Sequence, residues 1–299
     1  MCIRDSLHDY EVYITDWKNV RDIPCAVGDF GLEDYIQYII DFIKFIGPQT
    51  HVVAVCQPTV AALAATAILA QDEDSSQPAS LTLMAGPIDV RVNPTKVTDL
   101  ANEHPISWFR EQLIGTVPTT LRGRGRRVYP GFLQLGAFMS MNWERHKKSF
   151  EELYRLRIAG DHEKADAIND FYREYFAIMD LTETFYLQTV EEVFQKATLP
   201  QGKLIFKGRT VDPRAINRTF LLTVEGERDD ICAVGQTLVA QDLCLSLRPY
   251  MKSHHMQPGV GHYGVFNGKK WESQIYPVVR NHIQASLQNT LTPSHADLH

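Results

Sequence analysis

Between residues 30 and 90 the chain switches repeatedly between two hydrophobic periods, and this limits the available folds more than any other feature. HVVAVC (51 to 56) is an apolar, β-branched run of strand length. PTVAALAATAILAQ follows at once, with Pro58 in a first helical turn, where no N–H is missed. After the polar loop DEDSSQPAS comes SLTLMAG (80 to 86), another strand. Upstream, LEDYIQYIIDFIKFIG (32 to 47) sets Tyr35, Ile36, Ile39, Ile40, Ile43 and Ile46 at helical spacing, and Gly47-Pro48 stops it. DYEVYITDW (9 to 17) reads as a first strand. Strand, helix, strand, helix, strand predicts a parallel sheet with crossover helices.

From about His104 to Pro200 strand signals are few. The run from Phe150 to Pro200 reads as helices broken at Ala159-Gly160, and Phe171, Tyr172, Tyr175 and Phe176 recur at the spacing of a helical core face. RGRGRRVYPG (122 to 131) is a glycine-interrupted basic loop, a solvated turn or a functional contact. The strand and helix rhythm then resumes. RTFLLTVEGERDDI is a strand and charged turn, AVGQTLVAQDLCLSL a helix, KSHHMQPGVGHYGVFNG a strand and glycine-rich loop, and SQIYPVVRNHIQASLQ a last helix. TPSHADLH reads as a disordered tail. The expected division is therefore 1–103 and 201–299 as two parts of one α/β core, with 104–200 as a helical insertion.

Composition narrows the function classes. The formal charge is −6, with Lys and Arg outnumbered by Asp and Glu, which argues against a general nucleic-acid binder. The longest apolar run, around residues 52 to 70, is too interrupted by Cys56, Gln57, Pro58, Thr59 and Thr66 to span a bilayer. The start, MCIRDSLHDYEVYITDW, lacks the basic end and apolar core of a secretory signal. The five cysteines are scattered, with no C-x-x-C pair, so neither a zinc site nor a disulfide framework is expected. A reducing cytoplasm is the simplest compartment, and no metal or organic cofactor is expected.

Three turns, each after an expected strand, carry candidate catalytic groups, and parallel sheets place their chemistry at such ends. Cys56 sits where a strand turns into a helix, whose N-terminus favours a thiolate. The N–H of Gln57 can point at an oxyanion there. The elbow reads Ala54-Val55-Cys56-Gln57-Pro58, without the glycines of G-x-S-x-G. Inert packing is the plainer reading of such a cysteine. In VEGERDDI, Asp229 follows Gly226 by three residues and can orient a histidine; Asp230 competes, and a surface turn is the alternative. In PGVGHYGVFNG, His262 lies between glycines, against the reading of an exposed loop histidine. Nucleophile, acid and histidine in this order match the α/β-hydrolase triad, with the helical insertion where such folds carry a lid.

VYITDWKNVRDIP, VCQPTVAALAA, LTLMAGPIDVRVNPT, VYPGFLQLGAFMSMN, TVEGERDDICAVGQT and HHMQPGVGHYGVFNGKKW together resemble the intracellular polyhydroxyalkanoate (polyhydroxybutyrate) depolymerases across nearly the whole chain. The resemblance implies hydrolysis of stored polyester by a Cys-Asp-His triad, here Cys56, Asp229 and His262, with Gln57 as an oxyanion amide. It implies the polymer granule as partner and a granule-associated, cytoplasmic location. It also implies earlier strands, which this chain is expected to lack; a missing oxyanion donor would cost roughly 100- to 1,000-fold in rate. The rival readings are a polyhydroxyalkanoate synthase-like acyltransferase, whose elbow is normally G-x-C-x-G, and a granule-binding module without catalysis.

Overall fold

The computed structural model describes residues 10–141 and 143–291. In chain order the main elements are α1 (Leu32–Ile46), β1 (His51–Val55), α2 (Pro58–Gln71), β2 (Ser80–Met84), α3 (Lys96–Glu103), α4 (Ile106–Leu113), β3 (Gly115–Thr116), β4 (Arg127–Tyr129), α5 (Gly131–Met141), α6 (Trp143–Ala159), α7 (His162–Tyr175), β5 (Leu181–Thr182), α8 (Glu183–Thr189), β6 (Ile205–Phe206), β7 (Arg209–Thr210), β8 (Phe220–Gly226), α9 (Ala240–Leu243), β9 (Lys252–Gln257) and α10 (Tyr276–Leu291). The chain divides into two compact units, one of residues 1–14, 31–105 and 188–299, the other of residues 15–30 and 106–187.

The first unit holds a parallel sheet in the order β1-β2-β8-β9. β2 and β8 are buried along their whole length, as expected of central parallel strands. Every residue of α2 from Thr59 to Ala70 is buried. The helix therefore shows no amphipathic stripe, because it has no wet face. Its six alanines let α1 and the sheet approach closely, and Leu63 and Leu69 fill the gaps. Truncating either leucine to Ala should cost about 2–5 kcal/mol. α1 buries Leu32 and four of the spaced isoleucines of the sequence reading, Ile36, Ile39, Ile40 and Ile43; Ile46, at its end, is 40% exposed. Beyond the strands, Trp271, Ile275, Val279 and Ile283 pack the start of α10 against Met84, Leu222 and Val224.

The second unit is built on aromatic packing. α6 and α7 form an antiparallel pair joined at Gly160. Phe150 stacks on Tyr172 at 4.3 Å, and Phe171 on Tyr175 at 5.7 Å. His146 is buried among them, with Nδ1 at 3.0 Å from the Tyr172 hydroxyl and Nε2 at 3.4 Å from that of Tyr175.

Three expectations need correction. Residues 10–17 form no strand; they run as coil, with Tyr13 and Ile14 each 55% exposed, and residue 9 lies outside the described residues. Aromatic and β-branched composition suits a strand, but a strand needs a ladder partner. Residues 106–187 contain a small antiparallel sheet, β3-β4-β5, whose two- and three-residue strands are too short for an alternating pattern. The helix expected over 233–247 shrinks to Ala240–Leu243. The buried Glu225 carboxylate takes the amides of Gly235, Thr237 and Leu238 at 2.8–2.9 Å, which fixes residues 235–238 as turns. MCIRDS and TPSHADLH lie outside the described residues. Among the described residues no helix is long and apolar enough to cross a membrane.

Candidate active site

β1 ends at Val55, and Cys56 makes the turn with φ +65°. That left-handed backbone is uncommon for a residue with a Cβ and is the strain typical of a nucleophile elbow. The turn is pinned from both sides. The Cys56 amide donates to the Met84 carbonyl at 2.8 Å. The Cys56 carbonyl accepts the Thr59 amide at 3.1 Å and the Thr59 hydroxyl at 2.7 Å. Gly86 lies directly beneath: a Cβ there would stand 2.0 Å from Thr59 Oγ1. The glycine that lets this elbow close thus belongs to the next strand's loop, so the missing elbow glycines do not prevent the turn. The sulfur is free and partly exposed. Pro58 has no N–H and the Thr59 amide is used, so Gln57 carries the first amide after the nucleophile position at this helix start.

β8 ends at Gly226, and the turn after it presents Asp229. Its Oδ1 accepts the amides of Ile231 (3.0 Å) and Cys232 (2.8 Å). Its Oδ2 accepts the His262 Nδ1–H at 2.8 Å. The competing Asp230 is exposed. Gly226 lets the histidine loop approach, since a Cβ there would lie 2.9 Å from the Val260 carbonyl. That carbonyl accepts the Arg228 amide at 2.9 Å, and the Gln257 carbonyl accepts the Glu227 amide at 3.0 Å. Acid loop and histidine loop are therefore stitched together through their backbones.

His262 is buried on a short helical turn, His262–Val265. Burial alone would pull its ring pKa down. The Cys56 sulfur, as charge and as hydrogen-bond partner, and Asp229 outweigh that and raise it to about 10. The imidazole thus faces the carboxylate with Nδ1 and interacts with the thiol, so sulfur, ring and carboxylate meet at the C-terminal ends of β1, β8 and β9. Such a set can move a proton from sulfur to ring while the carboxylate fixes the tautomer.

Other positioning groups escaped the sequence reading. Thr237 Oγ1 accepts the Gly86 amide (2.8 Å) and donates to the Gly86 carbonyl (2.9 Å). Asn93 Nδ2 donates to the Val234 carbonyl (2.7 Å), Gln236 Nε2 to the Asn93 carbonyl (3.1 Å), and Thr95 Oγ1 to the Ile231 carbonyl (3.2 Å). The loop after β2 thereby clamps the stretch that follows Asp229. A run of polar side chains just past an apolar strand was the available signal. Cys232, buried in that stretch, is held as a neutral thiol: burial, then the charges of Asp229 and Cys56, push its pKa well up. Among the described residues no cluster of three or more His, Cys, Asp or Glu is arranged to hold a metal ion.

No curated protein matches the chain. Among solved structures it is similar to BpoC of Mycobacterium tuberculosis, named as a non-heme bromoperoxidase, at 14% identity and a TM-score of 0.52, covering 90% of this chain and 80% of that one. The monoacylglycerol lipase of Paleococcus ferrophilus (10% identity, TM-score 0.44, 86% and 77% covered) and the alpha/beta hydrolase GrgF of Penicillium sp. sh18 (14%, 0.45, 87% and 73%) are more distant in shape. At such identities likeness speaks of fold alone. The parallel sheet with its helices, the strained turn after β1 and the BpoC likeness make this an α/β-hydrolase fold. Residues 85–286 match the family model described as "PHB de-polymerase C-terminus", a region that begins after Cys56 and includes Asp229 and His262. By that match over two-thirds of its length, the chain belongs to the polyhydroxybutyrate depolymerase C-terminal family.

Proposed function

We propose that the protein hydrolyses the ester bonds of stored polyhydroxyalkanoate inside the cell, with Cys56 as nucleophile, His262 as general base and acid, and Asp229 as the group that orients the ring. The observation that carries this reading is the double engagement of His262, bonded to Asp229 at 2.8 Å and interacting with the sulfur on the strained turn. Family membership supports the polymer as substrate.

In the first half-reaction the Cys56 thiolate attacks the carbonyl of a 3-hydroxyalkanoate unit. The oxyanion lies against the Gln57 amide. His262, carrying the proton that left the sulfur, gives it to the departing alkoxide, and a thioester remains on Cys56. In the second half-reaction His262 takes a proton from water as the water oxygen attacks the thioester. The C–S bond breaks, the sulfur leaves as the thiolate beside the protonated ring, which restores the starting pair, and a free 3-hydroxy acid end is released. Asp229 keeps the ring oriented throughout, accepting from two backbone amides and the ring. The domain roles proposed with this chemistry are a split core around residues 104–200, with that insertion acting as a lid and the granule surface as the physical partner.

Cys56→Ala supplies the test. The variant should fold and still sediment with amorphous polyhydroxybutyrate granules, yet release no 3-hydroxy acid from them. Undiminished release would remove the assignment. If the wild type instead makes polymer from hydroxyacyl-coenzyme A, the acyltransferase reading replaces hydrolysis.

A further inference from the structure

Tyr35 places a hydroxyl on an otherwise apolar face. It stands in α1 three residues after Leu32 and four before Ile39, both buried, so it shares their side of the helix. The orientation of α1 is fixed from its far end. Lys44 Nζ lies 2.7 Å from Asp74 Oδ2, just past the C-terminus of α2. Close by in the chain, the Ala79 amide before β2 donates to the Thr50 carbonyl before β1 at 2.8 Å. The C-termini of α1 and α2 therefore sit where β1 and β2 begin, and their N-termini sit where β1 ends in Cys56. The 15 residues of α1 rise about 22 Å. The five of β1 cover about 17 Å, so the first turn of α1 reaches the level of the elbow. Helical side chains lean toward the N-terminus, which carries the ring of Tyr35 to that rim. In keeping with this placement, burial, and after it the charge of Cys56, raise the Tyr35 pKa to about 12. The phenol stays protonated wherever the thiolate acts.

From this juxtaposition we propose that the Tyr35 hydroxyl is a catalytic hydrogen-bond donor to the carbonyl oxygen that Cys56 attacks, a side-chain member of the oxyanion hole beside the Gln57 amide. The inference rests on the reading of Cys56 as nucleophile. As the S–C bond forms, the carbonyl π pair moves onto oxygen, and Tyr35 hydrogen-bonds that oxygen while keeping its own proton. On collapse the pair returns, the ester C–O bond breaks, and the alkoxide takes its proton from His262. A donor fixed on a packed helix needs no reorganisation at that moment.

Tyr35→Phe in the whole chain is the test, assayed with a soluble p-nitrophenyl ester of 3-hydroxybutyrate. kcat should fall by about 100-fold or more with KM little changed. Alkylation of Cys56 by iodoacetamide, which develops no oxyanion, should keep its wild-type rate. An unchanged kcat overturns the proposal, as does an equal loss of kcat and alkylation, which would make Tyr35 a partner of the sulfur alone. Should Tyr35→Phe not fold, 3-fluorotyrosine at position 35 keeps the packing and strengthens the donor. It should tighten binding of a trifluoromethyl ketone that forms an anionic adduct with Cys56, and unaltered binding overturns the proposal. An inactive wild type, or an active Cys56→Ala, sinks the nucleophile reading and this inference with it; an active wild type with an unaffected Tyr35→Phe sinks this inference alone.

Discussion

In the sheet unit, the loops around Asp229 are fixed by buried side chains that answer backbone groups one by one. Glu225 takes three amides, Thr237 bonds both backbone groups of Gly86, and Asn93, Thr95 and Gln236 each reach a carbonyl. In residues 106–187 the interior is filled by rings, and Phe132, Tyr154 and Ile158 stand largely exposed. Polar anchoring in that unit falls heavily on Arg126. This guanidinium, 7% exposed, donates to the carbonyls of Ile23, Pro24 and Gly28 at 2.8–3.1 Å. Hydrogen bonds are directional and hold angles, whereas stacked rings slide over one another at small cost. In the sheet unit the directional kind surrounds the turn that carries Asp229, where the proposed chemistry needs a proton to pass between specific atoms.

The largest expected effect falls on the first region. Asp229→Asn keeps the shape of the turn but offers an amide where two backbone N–H groups and a ring N–H now converge. Hydrolysis should drop by about 10⁴-fold in kcat. Steady-state kinetics on a soluble ester check this, and a loss under tenfold would break the claim that directional bonding here serves chemistry.

Arg126→Met tests the second region. It strips three carbonyls of a shared buried donor and should cost about 2–5 kcal/mol. Hydrogen exchange should rise over residues 19–30, and unaltered protection would show that ring packing alone holds the segment.

The pH dependences separate the regions further. His262 is raised to about 10 by Cys56 and Asp229 against burial, so its pairing stabilises fully below its unfolded pKa of about 6.5 and is lost as pH rises through about 10. Removing the sulfur's charge in Cys56→Ser should move the ring's titration, followed by NMR, to lower pH. His146 shifts the other way, lowered by burial and then by Arg145. Its contribution is present above about pH 6.5 and fades as pH falls through the lowered value. Acid should therefore loosen the α6–α7 pair modestly, read by near-ultraviolet circular dichroism of its tyrosines, and His146→Gln should flatten that dependence.

Legibility differed between the regions for the same physical reasons. α1 follows from periodicity, because burial on one face writes itself into the sequence, whereas β1, α2 and β2 follow from apolar runs of strand or helix length bounded by turn residues, with Pro58 opening α2. The order of Cys56, Asp229 and His262 along the chain was readable, since each follows a strand. Two-residue strands such as Gly115–Thr116 leave no period to detect. RGRGRRVYPG gave no sign that Arg126 is buried while Arg122 and Arg124 are exposed, because charge alone does not show which side chain finds carbonyls. A carboxylate that captures amides, as Glu225 does, looks like any other acid at a strand end.

The most direct measurement is the intact mass of the protein after rapid mixing with a 3-hydroxybutyrate ester, followed by peptide mapping. If sulfur, ring and carboxylate act together, a hydroxybutyryl thioester forms on Cys56, is labile to hydroxylamine, and decays at the rate of turnover. Turnover with no acyl group on Cys56, or acyl transfer to another residue, would contradict the account.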